Sequence, residues 1–557
     1  MKSVQADPAS PPESIRMVED CIVIWLVDNA TTNVENGTCK LRRIVSNVQL
    51  FFDFDQCLAY VNNVRLEKIF LIVSTIQPRL DSIRDQEQVE KIYVLTSSSP
   101  KAPKDIDSDD SPTTFDTIDR LCEQLEVDVE LCGLDLLLIT AARANPDDGN
   151  VSIAEQQQQQ AAFVFTQLLK EILYRLKFDS NAKKEFVHFC RIHYANNSEQ
   201  LQMINEFESN YRPQKALYWL TRQCFVWRLL QRMPRTFEID ILYKLGFLMK
   251  HVNTQMTILQ ENHSSSSGQV LTVYRGKTML SDTFNRLIKT NGGGLLTFGN
   301  FFVAHMDRDV GIDFIHRRLN TRPDATGVLF EIHVDENLHN ARSAWAMLDK
   351  INAETTNERN GIFFGIMTVF RIDSVDQFID EQMNIIWRVT LTLAADDDPQ
   401  LLRLVAPLRS SEVHANPISY MGKLFMDMGE YARAEQFFLG MLQDTSVRSE
   451  PRRLVRVHIG LGANYMSIGD FKKASHHYQQ ALDISLTYLP ARHTDLTAIY
   501  DAIGKSCFQQ ENYLKAVENF ELAADLASSN KQLGQDQLVN ELNTRISSAK
   551  QMLSQQP

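Results

Sequence analysis

One pattern, written three times into the last ~150 residues, limits the fold of that region more than any other feature of the chain. Gly429-Glu-Tyr431 is followed by Ala434 and Phe438, Gly469-Asp-Phe471 by Ala474 and Tyr478, and Glu511-Asn-Tyr513 by Ala516 and Phe520. The copies lie 40 and 42 residues apart, and Gly422, Gly462 and Gly504 keep the same register upstream. A small residue in a first helix, an aromatic after the turn and an alanine in the second helix are what two antiparallel helices need to pack closely. The same residues let each pair stack on the next. Stacked helical hairpins over residues 405–555 follow.

These repeats resemble tetratricopeptide (TPR) repeats of the longer, roughly 42-residue type found in kinesin light chains. The resemblance implies an all-α array that binds a protein partner. The rest of the chain is too long for one domain, since 557 residues correspond to three or four units of about 100–200 residues each. A net charge of −13 with no cluster of Lys and Arg argues against a nucleic-acid partner. The longest apolar run, Cys21–Val27, is far shorter than the roughly 20 residues a membrane helix needs, so no membrane partner is expected. Residues 1–17 are polar and Pro-rich, without the apolar core of a secretory signal, and read as a disordered tail. Eight scattered cysteines without a CxxC pair read as free thiols of a cytoplasmic protein.

Upstream of the repeats the pattern changes three times. Residues 18–145 alternate short apolar runs (Cys21–Val27, Leu41–Phe54, Ile69–Val73, Ile92–Leu95) with amphipathic stretches, as parallel strands of an α/β unit do. Thr96–Thr114 reads as an exposed loop, and Leu136–Thr140 fits either a further strand or the start of a helix. Residues 146–268 carry apolar positions at three- and four-residue spacing and form a helical segment. It begins at a hinge of Asp147–Asn150 with Gln156–Gln160 and ends at Ser264–Gly268; Trp219, Phe225 and Trp227 are its core aromatics. Residues 269–397 return to strands with helices between them, an α+β order.

Within that segment Val273-Tyr-Arg-Gly276, Gly294-Leu-Leu-Thr-Phe298, Asn300-Phe-Phe302, Asp307-Arg-Asp309, Gly327–Ile332 and Thr368-Val-Phe-Arg-Ile372 stand in order. Together they resemble the arginine-specific mono-ADP-ribosyltransferase family. The whole arrangement resembles the multidomain rotifer type, in which a receiver-like α/β domain and a helical segment precede the transferase and TPR repeats follow it. The resemblance implies an ADP-ribosyltransferase fold, NAD as co-substrate and a protein arginine as acceptor. Such a reaction passes through an oxocarbenium-like ribosyl cation. It needs a cation on the pyrophosphate, a hydroxyl on the ribose and a carboxylate near the anomeric carbon.

Carried onto this chain, the family's first-strand arginine is Arg275, followed by Gly276, with a guanidinium suited to bidentate phosphate contact. The Ser-Thr-Ser triplet falls on Val303-Ala304-His305, so the hydroxyl is replaced by an isopropyl group, and His305 is left as the one polar side chain there. The Glu-x-Glu pair falls on Arg359 and Gly361. A guanidinium beside a developing cation raises the barrier that a glutamate lowers. Glu354 and Glu358 lie close by, and a shifted loop would present Glu358 as the acid. Two readings stand: a scaffold degenerate in its catalytic positions, and an active transferase that uses Glu358. Asp307 and Asp309 read as helix-capping acids, and the adjacent His476-His477 cannot share a helix face as metal ligands would. No metal site is expected.

Overall fold

The computed structural model describes residues 19–27, 34–64, 67–74, 79–84, 86–96, 113–144, 153–175, 182–222, 224–236, 239–262, 270–322, 325–336, 345–351, 360–395, 397–406, 417–443, 448, 450–488, 494–529 and 535–555. The tail 1–17, the 97–112 part of the Ser/Pro/Asp loop, the boundaries at 147–150 and 264–268, and Glu354, Glu358 and Arg359 lie outside the described residues. The chain divides into two compact units, residues 1–145 with 169–402, and residues 146–168 with 403–557.

In the first unit, β1 (Cys21–Leu26), β2 (Val48–Phe51), β3 (Lys68–Val73), β4 (Val89–Leu95) and β5 (Thr113–Phe115) form a parallel sheet in the order β2-β1-β3-β4-β5. Successive side chains of a strand point to opposite faces, and helices cover both faces here, which is why β1 throughout and β3 from Ile69 to Val73 are apolar without a break. Ile22, Ile24 and Leu26 pack with Phe54, Cys57 and Val61 on one side. Cys21, Val23 and Trp25 pack with Leu41, Leu121 and Leu125 on the other. The run Leu41–Phe54 is not one strand: Leu41 is the buried residue near the end of helix Val34–Ile44, and the strand is Val48–Phe51. Helices Ala182–His193, Ser198–Asn210, Phe225–Thr236 and Ile239–Glu261 follow. Phe186, Phe207 and Phe225 meet edge-on or stacked in their core, and Trp219 packs edge-on against Phe207. Trp219 and Phe225 are fully buried, whereas Trp227 is half-buried.

The second sheet holds β6 (Ile139–Ala142), β7 (Val270–Met279), β8 (Leu295–Phe298), β9 (Phe302–His305), β10 (Thr326–Asp335), β11 (Trp345–Met347), β12 (Gly361–Phe364), β13 (Thr368–Ile379) and β14 (Ile385–Leu393). Their order is β11-β12-β9-β7-β10-β14-β13-β8-β6. Only β10 and β14 run parallel. β7 pairs with β10 along the whole of Thr326–Asp335, but it meets β9 at one bridge, Tyr274 opposite His305. The sheet is therefore two halves, of three and six strands, held edge to edge at their thinnest joint. The apolar stretch after residue 135, open in the sequence between strand and helix, is the edge strand β6 and pairs with β8. It joins this sheet and not the five-stranded one, since Gly299 N–H donates to Leu138 O and Leu138 N–H to Asn300 Oδ1 and so fix it there.

The second unit is a run of helical hairpins: Pro417–Asp427 with Tyr431–Gln443, Pro451–Ser467 with Phe471–Tyr488, and Thr494–Gln509 with Tyr513–Ser529, closed by Gln535–Ser554. Phe165, on helix Ile153–Arg175, meets Phe425 at 4.7 Å between ring centroids, so residues 153–168 cover the first hairpin. The glycines at 422, 462 and 504 each face the aromatic sixteen positions on, Phe438, Tyr478 and Phe520, at overlap distance from any Cβ. Each hairpin turn repeats one hydrogen-bond pattern. Gly429 and Glu430 donate to Met426 and Phe425 carbonyls, Gly469 and Asp470 to Met466 and Tyr465, and Glu511 and Asn512 to Phe508 and Cys507. This is the Schellman closure of a helix, which needs a left-handed residue at its centre. Gly429 (φ 77°) and Gly469 (φ 81°) meet it freely, and Glu511 (φ 60°) does not.

Two opposite outcomes follow for the repeats. Gly462→Ala forces a methyl into the Tyr478 ring and lowers stability by about 1–3 kcal/mol despite alanine's better helix propensity. Glu511→Gly relieves a left-handed side chain and raises stability by about 0.5–1 kcal/mol. Urea unfolding of the full chain, followed at the repeat helices, checks both signs.

Candidate functional site

The joint between the two halves of the second sheet gathers the residues singled out in the sequence. On β9, Phe302 and Ala304 are buried in the core, which leaves Val303 and His305 half-buried on the opposite face. Gly361 opens β12 directly across from His305, and Val303 stands across from Phe363. Arg275 lies on β7, one residue past the bridge that joins the halves. Positions 275, 303, 305 and 361 thus fall on three neighbouring strands although the sequence spreads them over almost ninety residues.

Arg275 is only 7% exposed. Its Nη2 donates to the Leu134 carbonyl at 2.8 Å and its Nη1 to the Val303 carbonyl at 3.3 Å. The guanidinium carbon lies 5.6 Å from the centre of the Phe314 ring. Leu134 belongs to the last turn of helix Ile118–Asp135, which packs on the first sheet. The last carbonyls of a helix have no partner within it, so they are ready acceptors for a guanidinium.

The residue after Leu134 continues the contact. Asp135 Oδ1 accepts from the Thr278 N–H at 2.9 Å, and Oδ2 accepts from the Thr278 hydroxyl at 2.5 Å and from Arg318 Nε at 3.3 Å. Lys277 Nζ donates to the Asp135 carbonyl and lies 3.6 Å from its carboxylate. Arg318 also pairs with Glu90 at 2.6 Å, and Arg322 stands 3.8 Å from the same carboxylate. Burial alone would raise the Asp135 carboxyl. Lys277, Arg318 and the bonds from Thr278 together outweigh it and hold the group below the usual carboxylate range. Burial pulls Lys277 below the ordinary lysine value, Asp135 opposes that, and Arg275 and Arg318 add repulsion. Burial opposes the charge of Arg318 as well, but Glu90 and Asp135 prevail and raise it. A cavity of about 260 Å³ lies beside this cluster, bordered by Lys277, Arg318, Arg322, Glu90 and Asp135 with an apolar wall of Leu136 to Ile139.

The donor set does not suit NAD. Both terminal nitrogens of Arg275 already donate to main-chain carbonyls, and Val303 brings no hydroxyl. Gly276 faces the backbone of Gly311 so closely that a Cβ would overlap it, and so it is a packing glycine of helix Arg308–Thr321. A Cβ at Gly361 would lie 2.7 Å from the Ala304 carbonyl oxygen and 3.1 Å from Leu348, leaving no room for a glutamate on this backbone. Asp307 caps helix Arg308–Thr321 by accepting from the Asp309 N–H at 3.0 Å. Among the described residues no group of three His, Cys, Asp or Glu is placed to hold a metal ion. His477 turns inward to His458, 3.2 Å between their Nδ1 atoms, and stacks on Tyr465.

Sequence reasoning did not single out Asp135, Lys277 or Arg318. One signal was present: an acid in the last turn of a helix opposes the helix dipole and asks for a compensating cation elsewhere.

A family model for the tetratricopeptide repeat matches residues 453–529. No curated protein matches in sequence. Among solved structures, the ADP-ribosyltransferase Vis in complex with M6 inhibitor is 16% identical, with a TM-score of 0.21 over 45% of this chain and 89% of its own. The ADP-ribosyltransferase HopU1 of Pseudomonas syringae pv. Tomato DC3000 is 15% identical, with a TM-score of 0.24 over 39% of this chain and 99% of its own. The ADP-ribosylating toxin BECa of C. perfringens, with NADH, is 12% identical, with a TM-score of 0.19 over 38% of this chain and 48% of its own. No helix among the described residues is long and apolar enough to cross a membrane.

A carboxyl depressed on folding contributes stability that is present above its unfolded value of about 3.9 and disappears as pH falls through the folded value. Asp135→Asn therefore costs about 2–4 kcal/mol at neutral pH, because Lys277 and Arg318 lose their shared anion in a buried site. The gap between wild-type and variant melting temperatures narrows below pH ~4. Calorimetry of both proteins from pH 7 downward measures it.

Proposed function

We propose that residues 269–397 carry an ADP-ribosyltransferase fold that has lost transferase chemistry, and that the protein acts as an interaction scaffold through its repeats at 405–555. The observation that carries this reading is Gly361 at the position of the family's glutamate, with the Ala304 carbonyl 2.7 Å from where a side chain would begin. Val303 in place of the serine and the carbonyl-bound guanidinium of Arg275 support the same reading. A ribosyl cation formed here would find neither a carboxylate at 361 nor a hydroxyl at 303 to stabilise it. NAD is thus a co-substrate of the ancestral chemistry, with Arg275, Gly276 and His305 at its inherited contact positions.

Residues 18–145 fit a receiver-like α/β domain, and the order β2-β1-β3-β4-β5 is that of the flavodoxin-type doubly wound sheet. The partner of the repeats is a protein segment, bound as helical repeats bind theirs, along the surface that stacked hairpins create. Eight cysteines without a disulfide suit a reducing, cytoplasmic setting. The competing reading is an arginine-directed transferase that uses Glu358 as its acid and modifies a protein acceptor.

Incubation with labelled NAD and an arginine-rich acceptor separates the two. No label is transferred on the scaffold reading. Turnover that disappears in Arg275→Ala, and also in Glu358→Gln, establishes the enzyme instead.

A further inference from the structure

We propose that the carboxyl end of helix Ile118–Asp135 is an internal ligand of the cationic cleft on β7, closing it to dinucleotides by standing where their pyrophosphate would bind. The proposal rests on the assignment of Arg275 to the inherited phosphate position. A pyrophosphate is recognised by guanidinium and ammonium groups together with main-chain N–H and hydroxyl donors. Each of these is present, and each is directed at the helix end. Arg275 donates to the Leu134 carbonyl, Lys277 to the Asp135 carbonyl, and the Thr278 N–H, the Thr278 hydroxyl and Arg318 Nε to the Asp135 carboxylate.

Arg275 and Lys277 are two apart on one strand and so share a face. The occupant meets both with three kinds of negative charge: two orphan carbonyls, a full carboxylate and the negative end of the helix dipole. Nothing about the geometry depends on a second molecule. The plug is also tied at both ends. Before it, Leu121, Leu125 and Cys132 are buried in the core of the first sheet. After it, Leu138 is hydrogen-bonded to Asn300 and Gly299, and the chain enters the second sheet as β6. An intramolecular anion held in this way has an effective concentration that a free dinucleotide must overcome.

The test is calorimetric titration of the full chain with NAD and, separately, with inorganic pyrophosphate. Wild type gives no saturable heat with either. Asp135→Ala acquires pyrophosphate binding at least about tenfold tighter than wild type, as expected when a competing internal state is removed. The gain disappears in Asp135→Ala/Arg275→Ala. If the alanine variant does not fold, Asp135→Asn, which keeps the main-chain carbonyls and one side-chain acceptor and loses the charge, shows the same gain to a smaller degree. A folded variant that gains nothing overturns the proposal. Wild-type binding of NAD or pyrophosphate that weakens tenfold in Arg275→Ala overturns it as well. Binding by wild type without label transfer defeats the closure alone, and label transfer defeats the scaffold reading too.

Discussion

The first unit is organised around one carboxylate taken out of water. Asp135 is surrounded by Lys277, Arg318 and Thr278, while Glu90 takes the other side of Arg318. Moving ions of this size into a protein interior costs several kcal/mol each, and attraction repays it only when nearly every donor and lone pair is used. That condition fixes the arrangement tightly. The acids come from the first sheet and its helix, and the bases come from the second sheet and the helix beside it. Sliding one sheet against the other by an ångström or two would strand four or five charges together. The same logic holds the helical layer, where Arg232 bonds to Glu67 and the Glu19 carbonyl, and Arg228 bonds to the Glu19 carboxylate.

This ionic joint bears on the proposal that the site has lost transferase chemistry. An enzyme acting on a dinucleotide needs its phosphate-binding cations solvated or bound to ligand, and its carboxylate free to face a cation. Here the cations serve a structural joint, and on the proposed reading the strand positions that would present a hydroxyl and a carboxylate carry Val303 and Gly361. Gly361 lies against the Ala304 carbonyl, an approach that any larger residue on this backbone would prevent.

What could be read from the sequence follows the range of each interaction. The repeats were legible because glycine and aromatic partners lie sixteen residues apart and recur; Phe438, Tyr478 and Phe520 meet their glycines in the structure as their spacing implies. The continuous apolar runs Cys21–Val27, Ile69–Val73 and Ile92–Leu95, which fall on β1, β3 and β4, were legible because both faces of that sheet are covered. The partners of Arg275 were not, since Leu134 lies 141 positions away and contributes a carbonyl, which every residue possesses. Leu136–Thr140 stayed ambiguous because a run of four apolar residues satisfies either period, and its place was decided by Asn300 far along the chain. Arg42 and Arg43 close a helix inside a stretch that looks uniformly apolar only if its charged residues are passed over.

The order of elements gives a reason for the closure to persist. Three residues separate Asp135 from the start of β6, and β6 is the outermost strand of the six-stranded half. Withdrawing the helix end from Arg275 and Lys277 would strip β6 from β8 or draw the helix off Leu41 and Trp25, and either exposes apolar surface already buried. The halves of the second sheet, by contrast, share one bridge at Tyr274 and His305. Arg275, which donates across that gap to the Val303 carbonyl, is therefore the side chain that spans the thinnest joint in the sheet. Its bonds to Leu134 and Val303 give it a structural role that is independent of any ligand.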